Sequence, residues 1–308
     1  MKVLLVFVDG LGIGRDDRAV NPLISAEIPL LRGLMPGTIA ASGPFSVYGR
    51  EPVALSLDAT LGFPGLPQSA TGQTALLTGL NAAAAAGGHV NGRPTAKLKA
   101  LLEGHSVYKR LLAAGKSVTF INAYRDESFE MMRDGTYPAS ASTVAALGAG
   151  LRLRTVQDVV EGRAVYHDIT SRSLVERGYP VTEIHPRTAG AIAASIAGCH
   201  DLSVFEFFLT DMAGHRRDMN LARRVLERLD AFMGGVLENA FRTGTEEMCV
   251  VLTSDHGNVE DLSTPDHTRN PVPAVFVGVP AEMRPRLSRM ESITDVSAAI
   301  VEIVCKGR

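Results

Sequence analysis

Cysteine is scarce in this chain. Three stand among 308 residues, Cys199, Cys249 and Cys305, widely spaced and with no CxxC pair. An odd, scattered set excludes a disulfide framework and a thiolate metal site, and fits a reducing compartment and apolar packing. Net charge is nearly absent, at −2. No basic run is interleaved with aromatics, so no positive field is available to bind nucleic acid. No stretch holds 18 consecutive apolar residues, which argues against a membrane-spanning helix. The opening MKVLLVFVDGLGIG sets a lysine before an apolar run, as a signal peptide does. That run covers only residues 3–8, ends at Asp9 and precedes no small-residue cleavage site, so a buried first strand and a cytoplasmic protein are expected. Apolar residues at 45% and charged residues at 21% are ordinary for a globular protein.

The chain alternates two kinds of segment. Short β-branched runs occur at 3–8, 117–123, 202–209, 248–254 and 272–278. Runs apolar on both faces predict strands of a parallel sheet covered by helices. Helical patterns fall between them, at 70–86, 95–114, 186–198, 219–242 and 292–304. In LARRVLERLDAFMGGVLENAF the apolar residues recur at three-to-four spacing with charges opposite. This alternation predicts a three-layer α/β/α sandwich with a largely parallel, doubly wound sheet. Residues 124–185 are richer in Arg, Ser, Thr and Gly and weaker in strand signals. They predict a small cap inserted into a single domain spanning 1–308.

In such sheets functional groups gather at the carboxyl ends of strands. Asp9 follows the first run, Thr210–Asp211 follows the third with His215 four residues on, and Asp255 and His256 follow the fourth. His267 stands just before the last run. One such aspartate is ordinarily a helix cap or loop residue, but three with histidines attached fit that reading poorly. Carboxylates with imidazoles suit divalent ions such as Zn²⁺ or Mn²⁺. Asp9, Asp211, His215, Asp255, His256 and His267 are too many for one tetrahedral ion and suit two. A two-ion site clamps the attacking and leaving oxygens of a displacement at phosphorus. The nucleophile candidate is Ser69, after a glycine-rich turn in PGLPQSATGQTALLTGLNA. A serine there also serves as an N-cap, and a helix N-terminus favours an anion in either role.

These motifs resemble the alkaline-phosphatase superfamily of two-metal phosphate enzymes, over roughly 1–123 and 186–308. VFVDG carries Asp9. SATGQTALLTG holds a Ser-x-x-Gly similar to the nucleophile turn of cofactor-independent phosphoglycerate mutases and to the Thr-x-x-Gly of phosphopentomutases. Its spacing to Thr78–Gly79 matches that of the nucleotide pyrophosphatase/phosphodiesterase branch, and both alignments select Ser69 over Thr71. TDMAGH resembles the mutases' Asp-x-x-x-His, and SDHGN with HTRNPVP resembles their signature around Asp255, His256 and His267. The resemblance implies that one ion is held by Asp9, Ser69 Oγ, Asp255 and His256, and the other by Asp211, His215 and His267. It further implies that Ser69 attacks phosphorus and passes through a phosphoseryl intermediate.

Two departures weigh on the reaction. The mutases carry histidine after the glycine of the nucleophile turn, where Gln73 stands here, and they carry a much larger inserted domain. A mutase must keep water from its phosphoenzyme, and a small cap suits hydrolysis of a phosphomonoester better. The other readings are a mutase-like intramolecular phosphotransferase, a phosphodiesterase, and a degenerate phosphate-ligand binder without catalysis. Candidate substrate contacts are His89, Asn91 and Arg93 in GGHVNGRP, and Arg125 at the end of the second run. Arg154 and His167 belong to the cap and are expected at its surface, while His105, His185 and His200 have no motif around them. The expected partner is a small phosphorylated substrate, with neither nucleic acid nor membrane. A homodimer is compatible with the sequence.

Overall fold

A computed structural model describes residues 1–37, 45–134, 136, 138–242 and 248–306. Its strands are β1 (Lys2–Val8), β2 (Val53–Leu57), β3 (Val118–Phe120), β4 (Ala123–Tyr124), β5 (Arg154–Thr155), β6 (Leu202–Phe207), β7 (Met248–Ser254) and β8 (Val272–Val277). Six of them form one sheet in the order β2-β8-β7-β1-β6-β3, and β4 pairs with β5 apart from it. β7, β1, β6 and β3 run parallel, whereas β8 is antiparallel to β7 and β2 antiparallel to β8. The expected sandwich is therefore present, with two antiparallel strands closing one edge.

The period of two along β1 divides the core. Val3, Leu5 and Phe7 enter one apolar cluster with the helices Ser69–Thr78, Ala96–His105 and Thr294–Lys306. Leu4, Val6 and Val8 enter the other, with Pro186–Ala197 and Met219–Phe241. Burying each such side chain is worth about 2 kcal/mol, and this is why the central strands read as unbroken apolar runs. Among the described residues no helix is long and apolar enough to cross a membrane.

Register places the site. Val8 lies opposite Phe207 on one side and Ser254 on the other. Asp9 and Asp255 therefore leave the sheet at one level, on adjacent strands. Asp211 joins them from the first turn of the helix Leu209–Arg216, which follows β6.

Several boundaries differ from those the sequence predicts. The run 117–123 breaks because Asn122 turns its side-chain amide onto β6, donating to Glu206 O at 2.7 Å and accepting from Glu206 N–H at 2.8 Å. The chain then leaves to form β4. The helical pattern 70–86 breaks at Gly79, whose left-handed backbone ends the first helix. The pattern 95–114 breaks at Ser106, which is extended and caps the second helix. β2 has no counterpart in the sequence reading. Ala123, just before the segment 124–185 expected to form a cap, joins Val156, Ala164, Tyr166 and Leu174 of that segment in a small core of their own. The helix Ala141–Gly148 instead buries Val144, Ala145 and Ala146 in the main core.

The helices Pro186–Ala197 and Met219–Phe241 meet through glycines. A Cβ at Gly190 would lie 2.1 Å from Phe232 O, and one at Gly235 would lie 2.0 Å from Arg187 O. Both neighbours are backbone, so neither can turn aside. Gly190→Ala is expected to destabilise by roughly 3 kcal/mol, seen as a melting temperature lower by about 5 °C in calorimetry. An unchanged melting temperature would contradict this helix contact.

Candidate metal centre and active site

Three carboxylates and three imidazoles converge at the carboxyl ends of β7, β1 and β6. Asp211, His215 and His267 each offer a ligand atom within 4.8 Å of one another, and so do Asp9, Asp211 and His256. Asp211 belongs to both groups. Its Oδ2 lies 3.2 Å from His215 Nε2, one helical turn on, and its Oδ1 lies 3.4 Å from His267 Nε2. His256 Nε2 lies 3.3 Å from Asp9 Oδ1 and 3.5 Å from Asp255 Oδ2. His215 Nε2 and His267 Nε2 are 3.2 Å apart. Asp255 stands beside the second group without being one of its three donors.

Each imidazole is oriented by the nitrogen that faces away. His215 Nδ1 is 2.7 Å from Pro265 O, His267 Nδ1 is 2.8 Å from Pro67 O, and His256 Nδ1 is 3.3 Å from Gly257 O. A carbonyl only accepts, so Nδ1 carries the proton and Nε2 presents its lone pair inward. The carboxylates likewise keep an oxygen in reserve. Asp9 Oδ1, Asp211 Oδ1 and Asp255 Oδ2 are buried without a hydrogen-bond donor, whereas Asp9 Oδ2 accepts from Gln73 Nε2 at 3.0 Å. Buried acceptors are normally satisfied. Three orphaned carboxylate oxygens facing three imidazole lone pairs fit divalent cations of the Mn²⁺ or Zn²⁺ kind.

The electrostatics agree. Burial and the adjacent Asp9 push the Asp255 carboxyl well above its ordinary range. Burial alone would lower His256, but Asp255 and Asp9 overcome it and lift the imidazole to about 10. Burial would raise Asp211, yet the surrounding imidazoles of His267, His256 and His215 hold it below its usual value. Without a cation, this excess of negative charge holds a proton on His256 Nε2; a divalent cation among the carboxylates would take that proton's place and leave the lone pair free.

Ser69 faces this cluster. It is the first residue of the helix Ser69–Thr78, whose N-cap is Gln68. The hydroxyl does not cap the helix; Oγ lies 2.9 Å from His256 Nε2. The motif glycines permit the approach. A Cβ at Gly72 would lie 2.7 Å from Asp255 O, and one at Gly214 would lie 1.6 Å from Asn258 Oδ1.

One cavity of about 460 Å³ holds Asp9, Ser69, Asp211, His215 and His267 at one end and the cap at the other. Asn91, Arg93 and Arg125 line it. His89 does not. It packs beside Gly65, with both ring nitrogens buried and unpartnered, and burial lowers its pKa. His167, expected at the surface, is a cavity wall stacked on Phe208 at 4.9 Å. Burial lowers its imidazole to about 4, with Arg125 also acting against its charge. Arg154 is spent on structure, donating to Phe120 O at 3.1 Å and Thr119 Oγ1 at 2.8 Å.

Residues 153–305 match the model of the Metalloenzyme superfamily. Compared with solved structures, the chain superposes on the PH0037 protein of Pyrococcus horikoshii with a TM-score of 0.57, at 16% identity over 98% of this chain and 96% of that one. It superposes on the alkaline phosphatase of the Antarctic bacterium TAB5 with a TM-score of 0.53, at 12% identity over 98% and 97%. The chain has the alkaline-phosphatase fold, and its C-terminal half is similar to the metalloenzyme superfamily. A curated relative of this chain is the 2,3-bisphosphoglycerate-independent phosphoglycerate mutase of Cereibacter sphaeroides. The two are 30% identical over 126 residues, 39% of this chain and 24% of that protein. The chain thus spans about a quarter of the length of the curated relatives it matches.

Several site residues carry no mark in the sequence motifs. Glu206 lines the cavity from within an apolar strand, and the only signal was an acid inside LSVFEFFL. Glu260 is fully buried and organises two loops. Its Oε2 accepts from Gly12 N–H at 2.9 Å and Asn258 N–H at 2.7 Å, and its Oε1 from Thr268 Oγ1 and from Asn270 Nδ2 at 3.1 Å. Those bonds tie the segment after β1 to the loop that presents His267. Glu260→Ala strands four donors and is expected to destabilise by about 3 kcal/mol or more. Metal affinity is expected to fall with it, because the His267 loop loses its anchor. Full metal binding at an unchanged melting temperature would contradict that role.

Proposed function

We propose that this chain is a metal-dependent phosphotransfer enzyme that hydrolyses a small phosphomonoester, with Ser69 as nucleophile. The observation that carries the reading is the position of Ser69 Oγ. It stands on a helix N-terminus, 2.9 Å from His256 Nε2, in one cavity with Asp9, Asp211, His215 and His267. Asp9, Asp255 and His256, with Ser69 Oγ, are one ligand set; Asp211, His215 and His267 are the other. Two divalent cations, Mn²⁺ or Zn²⁺, would supply Lewis-acid stabilisation of the anionic oxygens on the nucleophile, the phosphoryl group and the leaving group.

The chain's own groups then do the following. Gln73 holds Asp9 Oδ2 at 3.0 Å, where the mutases resembled here place a histidine. The helix Ser69–Thr78 directs its free N–H groups and positive end at the incoming phosphate. Ser69 Oγ attacks phosphorus in line; the Ser69 Oγ–P bond forms, the ester P–O bond breaks, and the serine proton ends on the departing alcohol. Water then attacks the phosphoserine, restoring the serine and releasing inorganic phosphate. Arg93 and Arg125, both lining the cavity, are placed to neutralise the phosphoryl oxygens.

The second reading is an intramolecular phosphotransferase, favoured by the similarity to a phosphoglycerate mutase. The small cap argues against it, since a mutase must exclude water from its phosphoenzyme. Product analysis separates the two, because a hydrolase releases inorganic phosphate and a mutase returns an isomer.

Ser69→Ala is expected to lower kcat on phosphomonoesters at least about 10³-fold while the metal content of the purified protein stays as in the wild type. Asp211→Asn, which alters the carboxylate common to both donor groups, is expected to deplete the bound metal by elemental analysis. Retained turnover in Ser69→Ala with metal bound would end the covalent mechanism.

A further inference from the structure

β6 carries an acid where a central strand has no packing use for one. Val204, Phe205 and Phe207 around it are fully buried, and Glu206 itself is 6% exposed. A carboxylate so placed is destabilising unless it is fully paired. Its pairing is one-sided. Ser142 Oγ donates to Oε2, while among the described residues no donor reaches Oε1. Glu260 offers an internal comparison. It is the other buried glutamate among the described residues, and both of its oxygens accept hydrogen bonds. Glu260 is saturated by the protein; Glu206 is half saturated and lines the cavity that contains Ser69.

The carboxyl is also held rigidly. Asn122 bonds both backbone groups of Glu206, at 2.7 and 2.8 Å. Ser142, on the helix Ala141–Gly148, is itself steadied by Ser140 Oγ at 2.9 Å. Burial raises Glu206 to about 7, with Ser142 and Arg93 opposing and Asp9 reinforcing the rise. Two supporting side chains and a fixed backbone around one unused acceptor describe a recognition group.

We propose that Glu206 Oε1 accepts a hydrogen bond from a hydroxyl of the substrate's leaving group, so that the substrate is the phosphate ester of a polyhydroxy alcohol. This rests on the phosphomonoester reading above. A cavity of about 460 Å³ exceeds what a phosphate alone fills. Arg93 and Arg125 share it and disfavour a cationic leaving group. Ser140 and Thr143 add neutral polar groups, and Tyr166 and Phe208 add aromatic walls for the carbon faces of a ring or chain. Glu206 is thereby a specificity-determining residue.

The test is calorimetric binding to Mn²⁺-loaded protein bearing Ser69→Ala, which removes turnover. The probes are ribose 5-phosphate, phenyl phosphate and phosphoethanolamine. Ribose 5-phosphate is expected to bind at least about tenfold more tightly than either other ester. Adding Glu206→Leu is expected to erase that preference, and Glu206→Gln, which keeps the volume and polarity, to reduce it. Equal binding of ribose 5-phosphate and phenyl phosphate would overturn the inference and leave the phosphomonoester reading standing. A preference that survives in both Glu206 variants would overturn it too, as would tightest binding of phosphoethanolamine. Failure of all three esters to bind would sink the phosphomonoester reading itself.

Discussion

Three parallel strands in register are what the rest of this molecule depends on. β7, β1 and β6 are neighbours, and their ladders end at one level, with Val8 opposite both Phe207 and Ser254. Adjacent strands lie about 4.8 Å apart, so Asp9 and Asp255 must emerge close together, and Asp211 follows within a helical turn. Carboxylates at that spacing repel unless a positive charge lies among them. The apolar packing on both faces of the sheet supplies the stability against which this repulsion is held.

The second constraint is orientation. Carboxylates alone suit any hard cation; imidazoles beside them suit transition-metal-like ions. Each histidine has its outward nitrogen committed to a backbone carbonyl, at Pro265, Pro67 and Gly257. Two of those carbonyls belong to proline, which stiffens the turns that carry them. Arg269 donates to Gly65 O at 2.9 Å, and His267 to Pro67 O. The turn leading into Ser69 is therefore fixed by the same loop that carries His267.

Much of this was legible in the sequence, for a physical reason. Residues at strand ends follow directly from the apolar runs, and metal-binding chemistry restricts the side chains to Asp and His; Asp9, Asp211, His215, Asp255, His256 and His267 all satisfied both conditions. What was not legible depends on contacts between distant segments. His89 sits in a glycine-rich loop as Asn91 and Arg93 do, yet only the latter two line the cavity, because the loop turns His89 towards Gly65. His167 reads as a polar cap residue, and only the packing of Tyr166 and Phe208 around it makes it a wall. β2 went unseen because an edge strand's identity lies in its partner β8. Glu206 and Asn122 find each other across 84 residues, a pairing that no local pattern announces.

The cap is joined to the core through the helix Ala141–Gly148, so the wall opposite the carboxylates is part of the folded body. Both ends of the cavity are thus set by one packing arrangement, and the proposed chemistry requires cations among the carboxylates. Anomalous diffraction from crystals grown with Mn²⁺ or Zn²⁺ tests that requirement most directly. The account predicts two anomalous peaks, one among Asp9, Asp255, His256 and Ser69 Oγ, the other among Asp211, His215 and His267. Crystals soaked in either metal that showed no peak among these residues would contradict it.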